Sequence, residues 1–286
     1  MIGKFKGSKA VITGAANGIG KQLALGFAKR GTDLLLVDIH GDEVARTAAE
    51  CKKFGVNTGS LQADVSLPGE CGKIFDTAVR KLERIDILVN NAGITALDFV
   101  TDIPEQDIKW VYETNVYSHW FMMQKFIPQM VKQGNHCQIL NVCSIAGLMN
   151  TAFSLAYFSS KHAAVSLSEC VYKQIEMNHW DIDLAVFCPG FIQTEMWKTD
   201  RHRPERFAIP ENDAYYKTKR YNQMIAGNKR VLDNGTPLEE TIERVFDDLQ
   251  KKQFYIYNTS QYERFLCEQG IFQAEKKAPI DYYKMN

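Results

Sequence analysis

Ala10-Val11-Ile12-Thr13-Gly14-Ala15-Ala16-Asn17-Gly18-Ile19-Gly20 decides the fold. A short apolar run enters a glycine-rich turn, after which Leu23, Leu25, Phe27 and Ala28 recur with roughly helical patterning until Gly31 stops it. The reading is strand, turn, helix. Glycines at such a turn permit positive φ and let the backbone approach a pyrophosphate, while the free N–H groups and positive dipole end of the next helix favour an anion. Glycine spacing alone also fits an ordinary tight turn, so the neighbouring sequence has to decide.

Leu34-Leu35-Leu36-Val37 is continuously apolar, the mark of a parallel strand covered on both faces, and Asp38 ends it. Similar runs occur at Ile85 to Val89, Gln138 to Val142, Leu184 to Phe187 and Phe254 to Tyr257, with helix-compatible segments between them. This alternation predicts an α/β fold: a doubly wound parallel sheet of Rossmann type, in three α/β/α layers, with ligands beyond the carboxyl ends of the strands. A length of 286 residues without repeat or linker fits one domain, 1–286.

Composition narrows the partners. Lys and Arg number 34 against 34 Asp and Glu, so no global field points to nucleic acid or an acidic membrane surface, and a small molecule is expected. Seven cysteines (51, 71, 137, 143, 170, 188 and 267) form an odd set with no Cys-x-x-Cys pair, which suits reduced thiols in a cytoplasm. The apolar run after the basic opening residues is cut by Thr13 and Gly14, too short for a signal peptide or a membrane span. Six scattered histidines show no metal-ligand spacing, and no catalytic metal is expected.

Asp38 lies 18 residues beyond Gly20, where an acidic side chain accepts hydrogen bonds from adenosine ribose hydroxyls. A 2′-phosphate would meet this carboxylate, and neither Asn17 in the loop nor Ile39 and His40 after the strand supplies a balancing Arg or Lys. NAD(H) is therefore expected over NADP(H). An aspartate that merely caps a turn is the bland alternative.

A second constellation comprises Asn115, Ser144, Tyr157 and Lys161. Tyr157 and Lys161 are four residues apart, one turn along a helical face. The same spacing recurs at Tyr215 and Lys219, but only Tyr157 follows closely on an apolar strand, the one that Ser144 closes. A free tyrosine, pKa about 10, is a poor base at neutral pH. A Lys ammonium ~6 Å away at an effective dielectric of ~20 favours the phenolate by roughly 3 kcal/mol, about two pKa units. Tyr157 could then shuttle a proton while hydride moves between substrate carbon and nicotinamide, with Ser144 donating to the substrate oxygen.

These motifs, in this order, resemble the short-chain dehydrogenases/reductases of the simple single-domain branch, from about Lys4 to about Thr194. The resemblance implies a catalytic tetrad of Asn115, Ser144, Tyr157 and Lys161, and no catalytic position departs from the family pattern. It also implies a cofactor site of Gly14, Asn17, Gly18, Ile19, Gly20, Asp38, Asp64, Val65, Asn91, Ala92, Gly93, Tyr157, Lys161, Pro189, Gly190, Ile192 and Thr194. In the family, Asp64-Val65 contacts adenine, Asn90-Asn91-Ala92-Gly93 supports the sheet beside the cofactor, Asn115 orders a relay water, and Pro189-Gly190 to Thr194 holds the nicotinamide. Relatives usually form homotetramers, and the apolar Val116 to Met130 stretch is compatible with burial in a tetramer or homodimer.

Substrate information is expected in the long segment from Phe191 to Pro237, read as a lid. Its Met196, Trp197, Phe207, Tyr215, Tyr216, Tyr221 and Met224 suggest a bulky, largely apolar alcohol or ketone, either steroid-like, polycyclic or aromatic, or lipid-like. Packing on the body of the protein or on another subunit explains the same aromatics equally well. Two other functions remain as alternatives: a non-catalytic NAD-sensing scaffold, and a sugar epimerase or dehydratase using the same Tyr and Lys.

Overall fold

A computed structural model describes residues 5–210, 213–275 and 278; the outermost residues of the predicted 1–286 domain, and 211 and 212 within the predicted lid, lie outside the described residues. Seven parallel strands form one sheet in the order β3-β2-β1-β4-β5-β6-β7. They are β1 (Lys9–Thr13), β2 (Asp33–Asp38), β3 (Thr58–Gln62), β4 (Ile87–Asn90), β5 (Cys137–Val142), β6 (Ile182–Phe187) and β7 (Tyr255–Ile256). The predicted doubly wound sheet is therefore present.

The continuous apolar runs follow from strand geometry, since successive side chains point to opposite faces and both faces are covered. On one face Ile12, Leu36, Leu140 and Phe187 pack with Leu23 and Phe27 of α1 (Gly18–Lys29), Val44 of α2 (Gly41–Lys52) and Phe246 of α8 (Leu238–Gln250). On the other, Val11, Leu35, Leu88, Ile139 and Leu184 meet Ile74 of α3 (Pro68–Leu82), Phe126 of α5 (Ser118–Gln133) and Ala164 of α6 (Leu155–Met177). Between α3 and α5 lies α4 (Glu105–Tyr112).

Strand β3 was not legible in the sequence. Its Thr-Gly-Ser-Leu-Gln is an edge strand, mostly half-buried, and so needs no apolar run.

Strand order reverses at β1, which lies between β2 and β4, and a cleft opens at the carboxyl ends there. The 191–237 segment crosses it through two 3₁₀ stretches, Met196–His202 and Glu205–Phe207, then a 3₁₀ turn at Tyr215–Lys217 and α7 (Lys219–Asp233). Among the described residues, no helix is long and apolar enough to cross a membrane.

Candidate active site

Gly14 shows why the loop needs glycine. Its φ is +63°, and an added Cβ would lie 2.8 Å from the Cα of Ala92 and from Asn91 Nδ2. The loop is tied to the end of β4: Asn91 Nδ2 donates to the carbonyls of Thr13 and Gly14, each at 2.9 Å, and Thr13 Oγ1 accepts from the Asn91 N–H at 3.0 Å. Asn17 precedes α1 without a side-chain cap, and no acidic residue occupies the first turn, so the dipole end of the helix faces the cleft uncompensated.

Asp38 closes β2 and is buried. One carboxylate oxygen accepts from the Ala16 N–H and the other from the His40 N–H, each at 3.0 Å. The turn-capping reading is thus part of the truth, and the residue still lines the cleft. Burial pushes its carboxyl above the ordinary value against the pull of those two N–H groups. Asp64 and Val65, following β3, line the same end; the Asp64 carboxylate accepts from the Ser66 N–H at 3.0 Å and from Arg206 Nη1 at 2.7 Å.

The opposite end is built on α6. Asp98, fully buried, caps this helix from a distant loop by accepting from the N–H groups of Leu155 at 2.7 Å and Ala156 at 3.2 Å. That cap aims Tyr157 and Lys161 into the cleft, and nothing in the sequence signalled it. Tyr157 is in hydrogen-bond contact with Ser144, whose Oγ accepts from the Ala146 N–H at 3.1 Å. Lys161 Nζ lies 5.8 Å from the centre of the Tyr157 ring and donates to the Val142 carbonyl at 3.1 Å. Asn115 stands behind them on a π-helical turn, Glu113–Tyr117, a local form that gathers at functional sites. Its amide exchanges two 2.9 Å hydrogen bonds with Ile94 and donates to Ser160 Oγ at 3.0 Å.

One electrostatic expectation is overturned. Desolvation pushes the half-buried Tyr157 up to about 12 in the protein by itself, rather than down, and pushes the buried Lys161 below its ordinary value. Desolvation of the phenolate exceeds the help of the Ser144 hydrogen bond, and the ammonium that was expected to favour the phenolate is itself desolvated.

The cleft is open-mouthed, and its lining runs from the glycine loop to the Tyr157 end. Gly14, Asn17, Gly18, Ile19, Asp38, Asp64, Val65, Asn91, Ala92, Gly93, Ser144, Tyr157, Lys161, Pro189, Gly190, Ile192 and Thr194 all line it. Gly20 and Asn115 do not. Gly20 is needed for packing, since a Cβ there would fall 2.0 Å from the Gly14 carbonyl oxygen.

Of the two readings given for the aromatics of the 191–237 segment, packing on the body describes Phe207 and Tyr215. Of its seven named side chains Met196 alone lines the cleft. Tyr215, Tyr216 and Tyr221 stack edgewise on one another, and Tyr215 donates to the Leu97 carbonyl. Phe207 is buried with Trp110 and Ile94. The cleft wall also includes Thr199, Pro204 and Leu232 of this same segment, and Ile94, Trp110 and Thr114 from outside it, which sequence reasoning missed because they come from distant parts of the chain. Lys219 begins α7 after the break at Thr218, so the second Tyr-Lys spacing is not one helical face. Among the described residues, no group of three or more His, Cys, Asp or Glu is arranged to hold a metal ion.

Two imidazoles, buried His119 and half-buried His202, carry a pH consequence. Burial holds His119 down to about 3 and His202 down to about 4, while an unfolded histidine titrates near 6.5. Below about pH 6.5 the unfolded chain therefore binds protons that the folded one refuses, and stability falls as pH drops toward 4, by on the order of a few kcal/mol. Urea unfolding midpoints should decline steadily from pH 7 to pH 4; a flat midpoint over that range would contradict the burial argument.

A glycine cradle beside a helix N-terminus, an acid at the second strand and a Tyr-Lys pair meet in one cleft at the carboxyl ends of a doubly wound sheet. The family model described as short chain dehydrogenase matches residues 8–205. The chain is 36% identical over 258 residues, 90% of each protein, to a CLA biosynthesis dehydrogenase/reductase of Lactiplantibacillus plantarum. It is 36% identical to mouse estradiol 17-beta-dehydrogenase 11 over 66% of this chain and 63% of that one. A short chain dehydrogenase/reductase of Burkholderia phymatum, solved in complex with NAD, superposes with a TM-score of 0.90 at 26% identity over 97% of this chain and 98% of that one. The chain belongs to the short-chain dehydrogenase/reductase family and is an oxidoreductase of that family.

Proposed function

We propose that this protein interconverts a secondary alcohol and a ketone on a bulky, largely apolar substrate, using NAD(H) in preference to NADP(H). The observation that carries the reading is the single cleft in which Ser144, Tyr157 and Lys161 face the glycine loop and Asp38. The loop backbone and the N-terminus of α1 would hold the pyrophosphate, Asp38 the adenosine ribose, and Pro189 to Thr194 the nicotinamide end. When bound, the oxidised nicotinamide supplies a hydride-accepting carbon and a positive ring charge. Tyr157 holds or releases the proton at its hydroxyl, Ser144 donates to the substrate oxygen, Lys161 orients the proton path and binds ribose, and Asn115 fixes the floor beneath Lys161.

Bulk in the substrate is supported by the apolar wall of Ile94, Trp110, Met196, Pro204 and Leu232 rather than by the lid aromatics. Relatives named for CLA biosynthesis and for estradiol favour the lipid-like and steroid-like classes. The whole chain is proposed as one domain with 191–237 as its substrate lid. Seven free cysteines fit a reducing cytoplasm. Exposed Tyr117 and Trp120, at and beside the start of α5, suit a homotetramer or homodimer contact.

The test is NADH oxidation with a panel of steroid, polycyclic and long-chain ketones alongside small ones. Turnover rising with apolar bulk is the expected result. Turnover confined to small ketones would overturn the substrate reading, and NADH binding without turnover of any panel member would favour the sensing scaffold.

A further inference from the structure

Most of the proposed cofactor residues lie at strand ends or at the start of α1. Met196, Thr199, Arg201, His202 and Pro204 of the 196–207 stretch line the cleft as well, and the stretch contacts the body toward both of its ends. Toward the substrate end, the Thr95 N–H donates to Thr199 Oγ1 at 3.1 Å, and Phe207 is buried beside Trp110. Toward the adenosine end, His202 Nδ1 lies 2.8 Å from His40 Nε2, two residues past Asp38, and Arg206 Nη1 donates to Asp64 Oδ2 at 2.7 Å. Arg206 also reaches Ser66 Oγ and, at 3.4 Å, Glu113. Arg201 and His202 line the same cleft as Asp38 and Asp64.

Charge complementarity fixes this strap. Its cations Arg203 and Arg206 meet the body carboxylates Asp107, Asp64 and Glu113, and the Arg203–Asp107 pair, 2.6 Å long, is almost wholly buried with Arg203 lying over the Trp110 ring. The buried pair is the firm anchor, because separating it would leave an uncompensated charge. The half-exposed Arg206 and the His40–His202 contact are the weaker end, the end that can lift.

We infer that this strap is the outer wall of the dinucleotide's adenosine site, so that cofactor enters and leaves only when the Arg206–Asp64 and His202–His40 contacts open. The inference rests on the cofactor reading above.

Stopped-flow fluorescence of NADH with the full chain tests this without turnover. Arg206→Met and His202→Ala should each speed both NADH association and release by roughly threefold to tenfold, and together by more. Parental rates in both variants would overturn the strap, as would slower association in either. Absence of NADH and NADPH binding by the unsubstituted protein would overturn the cofactor reading and the strap with it, so the two failures are separable.

Discussion

Replacing Tyr157 with phenylalanine is expected to cut kcat/KM by roughly 10²- to 10⁴-fold, the range for loss of a positioned proton donor, while NADH affinity stays at the parental value. The substitution removes one hydroxyl and leaves the ring in its edge contact with Phe158. Lys161 keeps its hydrogen bond to the Val142 carbonyl. Tyr157 is pushed up to about 12 in the protein alone, so at neutral pH it carries its proton and is ready to donate to a developing alkoxide. Reduction, which consumes that proton, should hold its rate into alkaline solution. Oxidation needs the phenolate and should rise with pH. Initial rates in both directions from pH 6 to 10 check this, and residual activity above about a tenth in the variant would remove Tyr157 from the proton-transfer role. Tyr215→Phe serves as the contrast: its hydroxyl is engaged by the Leu97 carbonyl outside the cleft lining, and turnover should persist.

Asp38→Asn should change the ratio of NADH to NADPH affinity by at least about a hundredfold in favour of NADPH. Two effects add. Hydrogen bonds from ribose hydroxyls to a charged carboxylate, about 1.5–3 kcal/mol each, weaken when the acceptor becomes an amide. Repulsion of a 2′-phosphate, about 4 kcal/mol per charge at ~4 Å and an effective dielectric of ~20, disappears. The asparagine oxygen can still accept from the Ala16 N–H, so the loop should survive, and melting temperature distinguishes a changed preference from a damaged fold. An unchanged ratio in fluorescence titrations would leave Asp38 as a turn cap only.

The linear sequence by itself determined the sheet, the glycine loop and the Tyr157-Lys161 pair. Buried parallel strands must be apolar on both faces, a helix repeats every 3.6 residues, and a backbone that turns with positive φ against a neighbouring chain selects glycine. These are local constraints, and local constraints are visible in a string. Edge strand β3 escaped because only one of its neighbours is a strand and most of its side chains are half-exposed.

Only the tertiary structure decided what depends on distant segments meeting. Asp98 caps α6 from 57 residues away, and Arg206 reaches Asp64 across 142. The lid aromatics turned toward one another rather than into the cleft, since edge-to-face stacking and burial satisfy them without a ligand. Burial likewise reversed the expected shift of Tyr157: the Lys161 charge acts through a distance that the helix fixes, but desolvation depends on everything packed around both groups, which no spacing encodes.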